Sequence, residues 1–187
     1  MKKLTIVVGK TFSGKSTLLR KYLKGGFQIV KTHTTRPVRE TENGTEYYFE
    51  DDESYQDKKE KGIALAAREY HTVAGLWSYW TELKDIMQYD NPIMILDLEG
   101  AKELVKYIAD LHKKDDEFNL LYEILYLNTS LDVIRDRIEN SDRGNSESKQ
   151  ESYRRLQSDI NAMYKLDQLG LEDGLYDITS PVVNGKV

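Results

Sequence analysis

The stretch Leu4-Thr5-Ile6-Val7-Val8-Gly9-Lys10-Thr11-Phe12-Ser13-Gly14-Lys15-Ser16-Thr17 decides how the rest of the sequence is read. Residues 4–8 are mostly apolar and β-branched, a run that suits a central parallel strand covered on both faces. The next eight residues fit the spacing G-x-x-x-x-G-K-[ST]. Glycines let the backbone curl until successive N–H groups converge on one anion. Lys15 adds a charge near the β- and γ-phosphates, and the Ser16 hydroxyl is suited to Mg²⁺. Chance alone gives this spacing in about one such chain per hundred. Here it also lies between an apolar strand and a helix, the context the function requires. Gly9, Lys10, Thr11, Phe12, Ser13, Gly14, Lys15, Ser16 and Thr17 are therefore read as an ATP-binding loop.

Outward from this loop, strands and helices alternate. Residues 16–23 read as a helix closed by Gly25-Gly26, and 27–30 as a second strand. A polar stretch with Pro37 and Asn43-Gly44 runs from 32 to 49 and ends in Tyr47-Tyr48-Phe49. Residues 51–61 predict a helix, 63–70 and 77–80 short strands, and 81–89 another helix. After Asn91-Pro92, 93–96 is a second buried strand ending at Asp97. Leu104, Ile108 and Leu111 give 100–111 an amphipathic helical spacing, and 112–117 reads as a charged loop. Residues 122–127 form a third central strand, and Ser130 suits the cap of a helix reaching about 139. Residues 140–150 are polar and expected to be mobile, 151–166 return to helix, and Val182-Val183 suit a last short strand. The fold class is α/β, a P-loop NTPase-like parallel sheet flanked by helices. One domain is expected, with its core in 1–31, 82–139 and 151–187, a small insert at 32–81 and a lid at 140–150.

Composition narrows the function. The 187 residues are 39% hydrophobic and 32% charged, enough for a real core. A net charge of −5 argues against a broad nucleic-acid surface. No cysteine is present, which excludes disulfides, a thiolate nucleophile and cysteine-based zinc sites. The apolar run after Lys2-Lys3 stops at Gly9, too short for a signal core or a membrane span, so a cytoplasmic location is expected. His33, His71 and His112 lie in separate segments without ligand spacing, so neither a zinc site nor a histidine base is expected.

Three further places concentrate charge. Asp97 lies at the carboxyl end of a strand, where ligands of open parallel sheets collect, and is a candidate for the Mg²⁺ shell; the other reading is a helix cap. Arg36-Pro37-Val38-Arg39 places two arginines three residues apart around a fixed turn, suited to clamp a second phosphate, with the Tyr47 hydroxyl nearby. Arg135, Arg137 and Arg143 flank the mobile segment, and Arg154-Arg155 begin the following helix. Arginines on a lid would stabilise charge on a phosphoryl group in transfer; the alternative is ion pairing with Glu139, Asp142 and Glu147.

The order of these motifs resembles the guanylate kinase family. The residues that carry the resemblance are the phosphate loop, Thr34-Thr35-Arg36-Pro37-Val38-Arg39, Asn43-Gly44-Thr45-Glu46-Tyr47-Tyr48-Phe49, Ile95-Leu96-Asp97, Arg143-Gly144 and Val182-Val183-Asn184. The resemblance spans essentially the whole chain, with insertions around 112–117 and 140–142. It implies transfer of the ATP γ-phosphoryl group to GMP or dGMP with Mg²⁺ and no covalent intermediate. Arg36, Arg39 and Tyr47 would hold the acceptor phosphate, with Thr34 nearby. Glu69, six residues before Gly75, would take the place of the family's guanine-pairing glutamate. Lys15 and Ser16 would serve ATP and Mg²⁺, Asp97 would lie near metal and acceptor, and Asn184 would serve the ATP side. Arg137, Arg143 and one of Arg154 or Arg155 would be the lid arginines. The sequence departs from the family after Gly75: Ser78 stands where a tyrosine is usual and Trp80 where a small hydroxyl residue is usual. A shift of one residue would bring Tyr79 or Thr81 into those places. The partners implied are small-molecule nucleotides, with no nucleic acid or membrane, for a monomer or homodimer. Two alternatives stand beside this: the same fold with another acceptor, such as a different nucleotide or a ribosyl phosphate, and a non-catalytic binding module. Such modules tend to lose the phosphate loop, which is intact here.

Overall fold

The computed structural model describes residues 2–40, 42, 47–72, 75–141, 149–163 and 175–178, the last four, 72 and 163 by backbone alone. Strand β1 (Lys2–Gly9) leads through the phosphate loop into α1 (Lys15–Lys24) and β2 (Gln28–Ile29). Then come β3 (His33–Thr34), β4 (Tyr48–Phe49), α2 (Asp52–Glu60), β5 (Leu65–Thr72), β6 (Gly75–Thr81) and α3 (Leu83–Met87). The chain continues with β7 (Pro92–Ile95), α4 (Leu98–Lys114), β8 (Leu120–Leu127), α5 (Leu131–Glu139), α6 (Lys149–Met163) and β9 (Leu175–Ile178).

Two sheets result. The larger is parallel, in the order β2-β7-β1-β8-β9, with β1 at its centre. Its apolar run is continuous because both faces are covered. Leu4, Ile6 and Val8 pack with Ile86, Leu104 and Ile108 on one side, and Val7 packs with Leu18, Ile93 and Leu125 on the other. The phosphate loop thus leaves the carboxyl end of the central strand, flanked by the ends of β7 and β8. The smaller sheet, β4-β3-β6-β5, is built by residues 33–81. Its β3–β4 pair is parallel, whereas β3–β6 and β5–β6 are antiparallel. Helix α2, capped by the Asp51 carboxylate accepting from the Ser54 N–H, covers one face of it through buried Tyr55.

The differences from expectation have local causes. Helix α4 runs on to Lys114 rather than ending at 111, since His112, Lys113 and Lys114 occupy its last turn, where cations offset the carbonyl end of the helix. Strands β3 and β4 are two residues each, too short to show a period. The fifth strand of the large sheet is β9, pairing Ile124 with Leu175; the strand expected at Val182-Val183 lies outside the described residues. Among the described residues, no helix is long and apolar enough to cross a membrane.

Candidate active site

The phosphate loop forms because its backbone is bent in ways that most residues avoid. Gly14 has φ 106°, in the left-handed region that suits glycine, and Phe12 has φ 57°. Gly9 makes a close approach: a Cβ there would stand 2.8 Å from the Ser13 Oγ and 3.1 Å from Leu127. The bend is held by the Ser13 N–H donating to the Lys10 carbonyl and by the Thr129 hydroxyl donating to the Ser13 carbonyl at 2.8 Å. The Lys15 ammonium folds back onto the Gly9 and Lys10 carbonyls at 2.7 and 2.8 Å. A cavity of about 430 Å³ opens over the loop, lined by residues 11–17 with Arg20, Arg137 and Ser141. Gly9 and Lys10 precede the lining residues, the Lys10 ammonium donating to the Tyr126 hydroxyl at 3.3 Å, and Ser16 and Thr17 are exposed in the first turn of α1.

A second set of residues, those expected to hold an acceptor, gathers on the insert. Buried Arg36 is held in a bidentate pair with Glu42, at 2.8 and 3.0 Å. That pairing keeps the Glu42 carboxyl below its usual range. The guanidinium lies 5.3 Å from the Tyr47 ring centre, and the Tyr79 hydroxyl is a further hydrogen-bond partner. The Tyr47 and Tyr79 rings meet edge to face at 6.0 Å. Thr34 is fully buried, its hydroxyl accepting from the Arg36 N–H, and Arg39 is exposed beside the same turn. Of the two residues suggested by a one-residue shift, Tyr79 joins this group. Glu42, which orients Arg36, was not singled out in the sequence; an acid six residues after an arginine is too weak a pattern.

Two expected site residues are placed elsewhere. Glu69 and Ser78 are paired across β5 and β6, so they share a face, and that face looks toward α2. Glu69 accepts from Lys59 at 2.6 Å and from the Tyr55 hydroxyl at 2.8 Å, and buried Ser78 also lies against the Tyr55 phenol. Trp80 is on the same side, between Tyr55 and His33. The opposite face carries Arg68, Tyr70 and Tyr79, with the Tyr70 and Tyr79 rings 5.7 Å apart. Asp97 has the capping role that was its second reading. It accepts the Gly100 N–H at the start of α4 and pairs with Arg68 Nε at 2.9 Å. Arg68 also reaches Glu103 at 3.0 Å, so it joins β5 to α4. With its oxygens engaged in this way, Asp97 is a poorer fit to direct metal ligation than Ser16.

The lid arginines divide. Arg137 donates to the Phe12 carbonyl at 2.9 Å and lines the phosphate cavity. Arg154 and Arg155 both pair with Glu151, and Arg135 pairs with Asp132, acids other than the Glu139, Asp142 and Glu147 named in the ion-pair reading. Arg143 and Asn184 lie outside the described residues. A group with no signal in the sequence is Asp159 of α6, whose carboxylate accepts the Thr11 N–H of the loop. Burial raises the Asp159 carboxyl above its ordinary value, against the pull of that N–H and of Lys15. Within the insert and at its junction with α3, His33, Glu50 and Glu82 bring ligand atoms within 4.8 Å of one another. The Lys58 ammonium sits among them, 2.6 Å from Glu50 and 2.7 Å from Glu82, so the cluster is a compensated charge network.

A bent anion nest at the carboxyl end of a central parallel strand, with an insert that presents an oriented arginine and two tyrosines, defines a P-loop kinase acting on nucleotides. The sequence profile of the guanylate kinase family matches residues 1–182, and the chain belongs to that family. It is an ATP-dependent nucleotide phosphotransferase. Its relatives include the guanylate kinases of Legionella pneumophila strains Lens and Paris, each 24% identical over 177 residues, covering 91% of this chain and 78% of the relative. The guanylate kinase of Nitrosomonas europaea is 26% identical over 106 residues, 54% of this chain and 52% of that one. Among solved structures, guanylate kinase from Anaplasma phagocytophilum aligns with a TM-score of 0.49 and 16% identity, over 91% of this chain and 88% of that one. A deoxyadenosine kinase from M. mycoides with bound dATP aligns at 0.42 and 20% identity, over 96% and 91%.

Proposed function

We propose that the chain phosphorylates a nucleoside monophosphate, with GMP and dGMP as acceptors and ATP as donor. The observation that carries this reading is the Arg36–Tyr47–Tyr79 group. An arginine fixed by a carboxylate, with phenols beside it, is suited to a monoester phosphate, and it sits on an insert tied through Arg68 to the end of β7 beside the loop. ATP would be held by the loop N–H groups and Lys15. Mg²⁺ would be held by the Ser16 hydroxyl together with the nucleotide phosphates, and would offset the charge of donor and acceptor. Arg137, anchored on the Phe12 carbonyl, lies where it could stabilise the phosphoryl group. The enzyme's work is alignment and charge stabilisation, with no covalent intermediate.

ADP release from Mg-ATP, measured with a panel of GMP, dGMP, AMP, dAMP, UMP and ribose 5-phosphate, tests this. Acceptor-dependent release with GMP and dGMP is expected; none with any acceptor would overturn the kinase reading. A second reading, with another acceptor, is favoured by the position of Glu69 on the α2 side, and turnover confined to another member of the panel would establish it.

A further inference from the structure

We infer that the acceptor base is held by the aromatic face of β5–β6, with Tyr70 as its platform, and that Glu69 takes no part, so that guanine and adenine are only weakly distinguished. The inference rests on the monophosphate-kinase reading above.

Side chains alternate across a strand, and the β5–β6 register is regular from Arg68 to Thr72: Arg68 opposes Tyr79, Glu69 opposes Ser78 and Tyr70 opposes Trp77. Glu69 is fastened to α2 by Lys59 and Tyr55. Closure of the insert toward the core would carry both faces of the hairpin together and could not turn one residue over. Only a one-residue slip would do so. That slip would take Trp80, 1% exposed, out of its packing against His33 and Tyr55. A bulge between Leu65 and Arg68, with Ala66 at φ 49°, sets the phase of the strand before Glu69.

A guanine is told from an adenine by an acceptor facing its N1–H and exocyclic amine. Among the described residues, the carboxylates that meet Arg68 on the face toward the core are Asp97 and Glu103, and Asp97 is engaged with Arg68 and the Gly100 N–H. Tyr70 on that face is 49% exposed and braced edge to face by Tyr79, which lies beside Arg36. A ring accepts any base, because every base has a π face. A site that hydrogen-bonds a substrate edge rejects analogues by about 10⁴–10⁵-fold, whereas one reading shape alone discriminates by about 10–200-fold.

The test is kcat/KM of the full chain for GMP and for AMP, in wild type, E69Q, Y70A and Y70F. The amide oxygen that E69Q introduces can still accept from Lys59 and Tyr55, and a thermal melt of each variant confirms folding. The wild-type GMP to AMP ratio is expected within about 100-fold. E69Q should leave both substrates within about twofold. Y70A should raise KM for both about tenfold with kcat little changed, as for a lost stacking contact, and Y70F should restore most of that loss. A GMP preference above about 10⁴, or an E69Q variant that loses about 100-fold on GMP alone, would overturn the inference while leaving the kinase standing. Absence of turnover with every monophosphate would remove the reading on which it rests.

Discussion

At the scale of single residues, Lys15 and Asp159 bring opposite charges to the same loop. Lys15 bridges the loop's own carbonyls and presents its charge to the cavity. Replacing it with alanine should lower kcat by at least about 10²–10³-fold, the usual loss for a group that stabilises transition-state charge. Circular dichroism should show the fold unchanged. Asp159 instead holds the Thr11 N–H, one of the groups a phosphate oxygen would use. A nucleotide that takes this N–H must displace a carboxylate. D159A should therefore bind ATP about tenfold more tightly, one charge-assisted hydrogen bond's worth, as read by calorimetry; weaker binding would show that Asp159 helps to hold the nucleotide. The loop was legible in the sequence because its glycines and lysine are required at fixed spacing. Asp159 was not, since a contact 148 residues distant leaves no local pattern.

Among the elements, the insert depends on a charge network between β3, α2 and α3. His33 hydrogen-bonds Glu50 and, at 2.8 Å, Asp85; Lys58 and Lys84 each lie 2.7 Å from Glu82. Burial alone would raise the Glu82 carboxyl, but the two ammonium groups outweigh it and hold it at about 2. A carboxyl depressed in the folded state gives stability that is present above its unfolded value and lost as pH falls through the folded one. Wild type should lose stability between pH 4.5 and about 2 on this account, and E82Q should flatten that slope in denaturant titrations at stepped pH. H33A removes a hydrogen-bond partner of buried Asp85, while Glu50 and Glu82 keep Lys58, and should cost about 1–3 kcal/mol by urea denaturation. This part of the molecule was the least legible. Strands β3 and β4 have two residues each, and their pairing comes from contacts distant in sequence. Short strands were foreseen at 63–70 and 77–80, but neither their pairing nor the face Glu69 would take was. Counting back from Gly75 gives a position along the strand, while the partner register fixes the side.

For the whole molecule, the insert meets the core through Arg68, which pairs with Asp97 and Glu103 of α4. R68A would leave both acids without this cation, and the melting temperature should fall by a few degrees, the shift expected from about 1 kcal/mol. The core sheet was legible because residues 4–8 of β1 and all of β7 are largely buried and so read as mostly apolar runs, while β8 stays apolar apart from Glu123. The fifth strand was not, because β9 follows a long stretch without clear periodicity. The proposed pairing of the Gly9–Ser16 loop with the Arg36–Tyr47–Tyr79 group gives the central claim its direct test. Wild-type protein is incubated with Mg-[γ-³²P]ATP and GMP or AMP, and the products are separated. The account predicts label in the corresponding nucleoside diphosphate, dependent on Lys15 and Arg36. Label found only as inorganic phosphate, or none released from ATP with either acceptor, would contradict it.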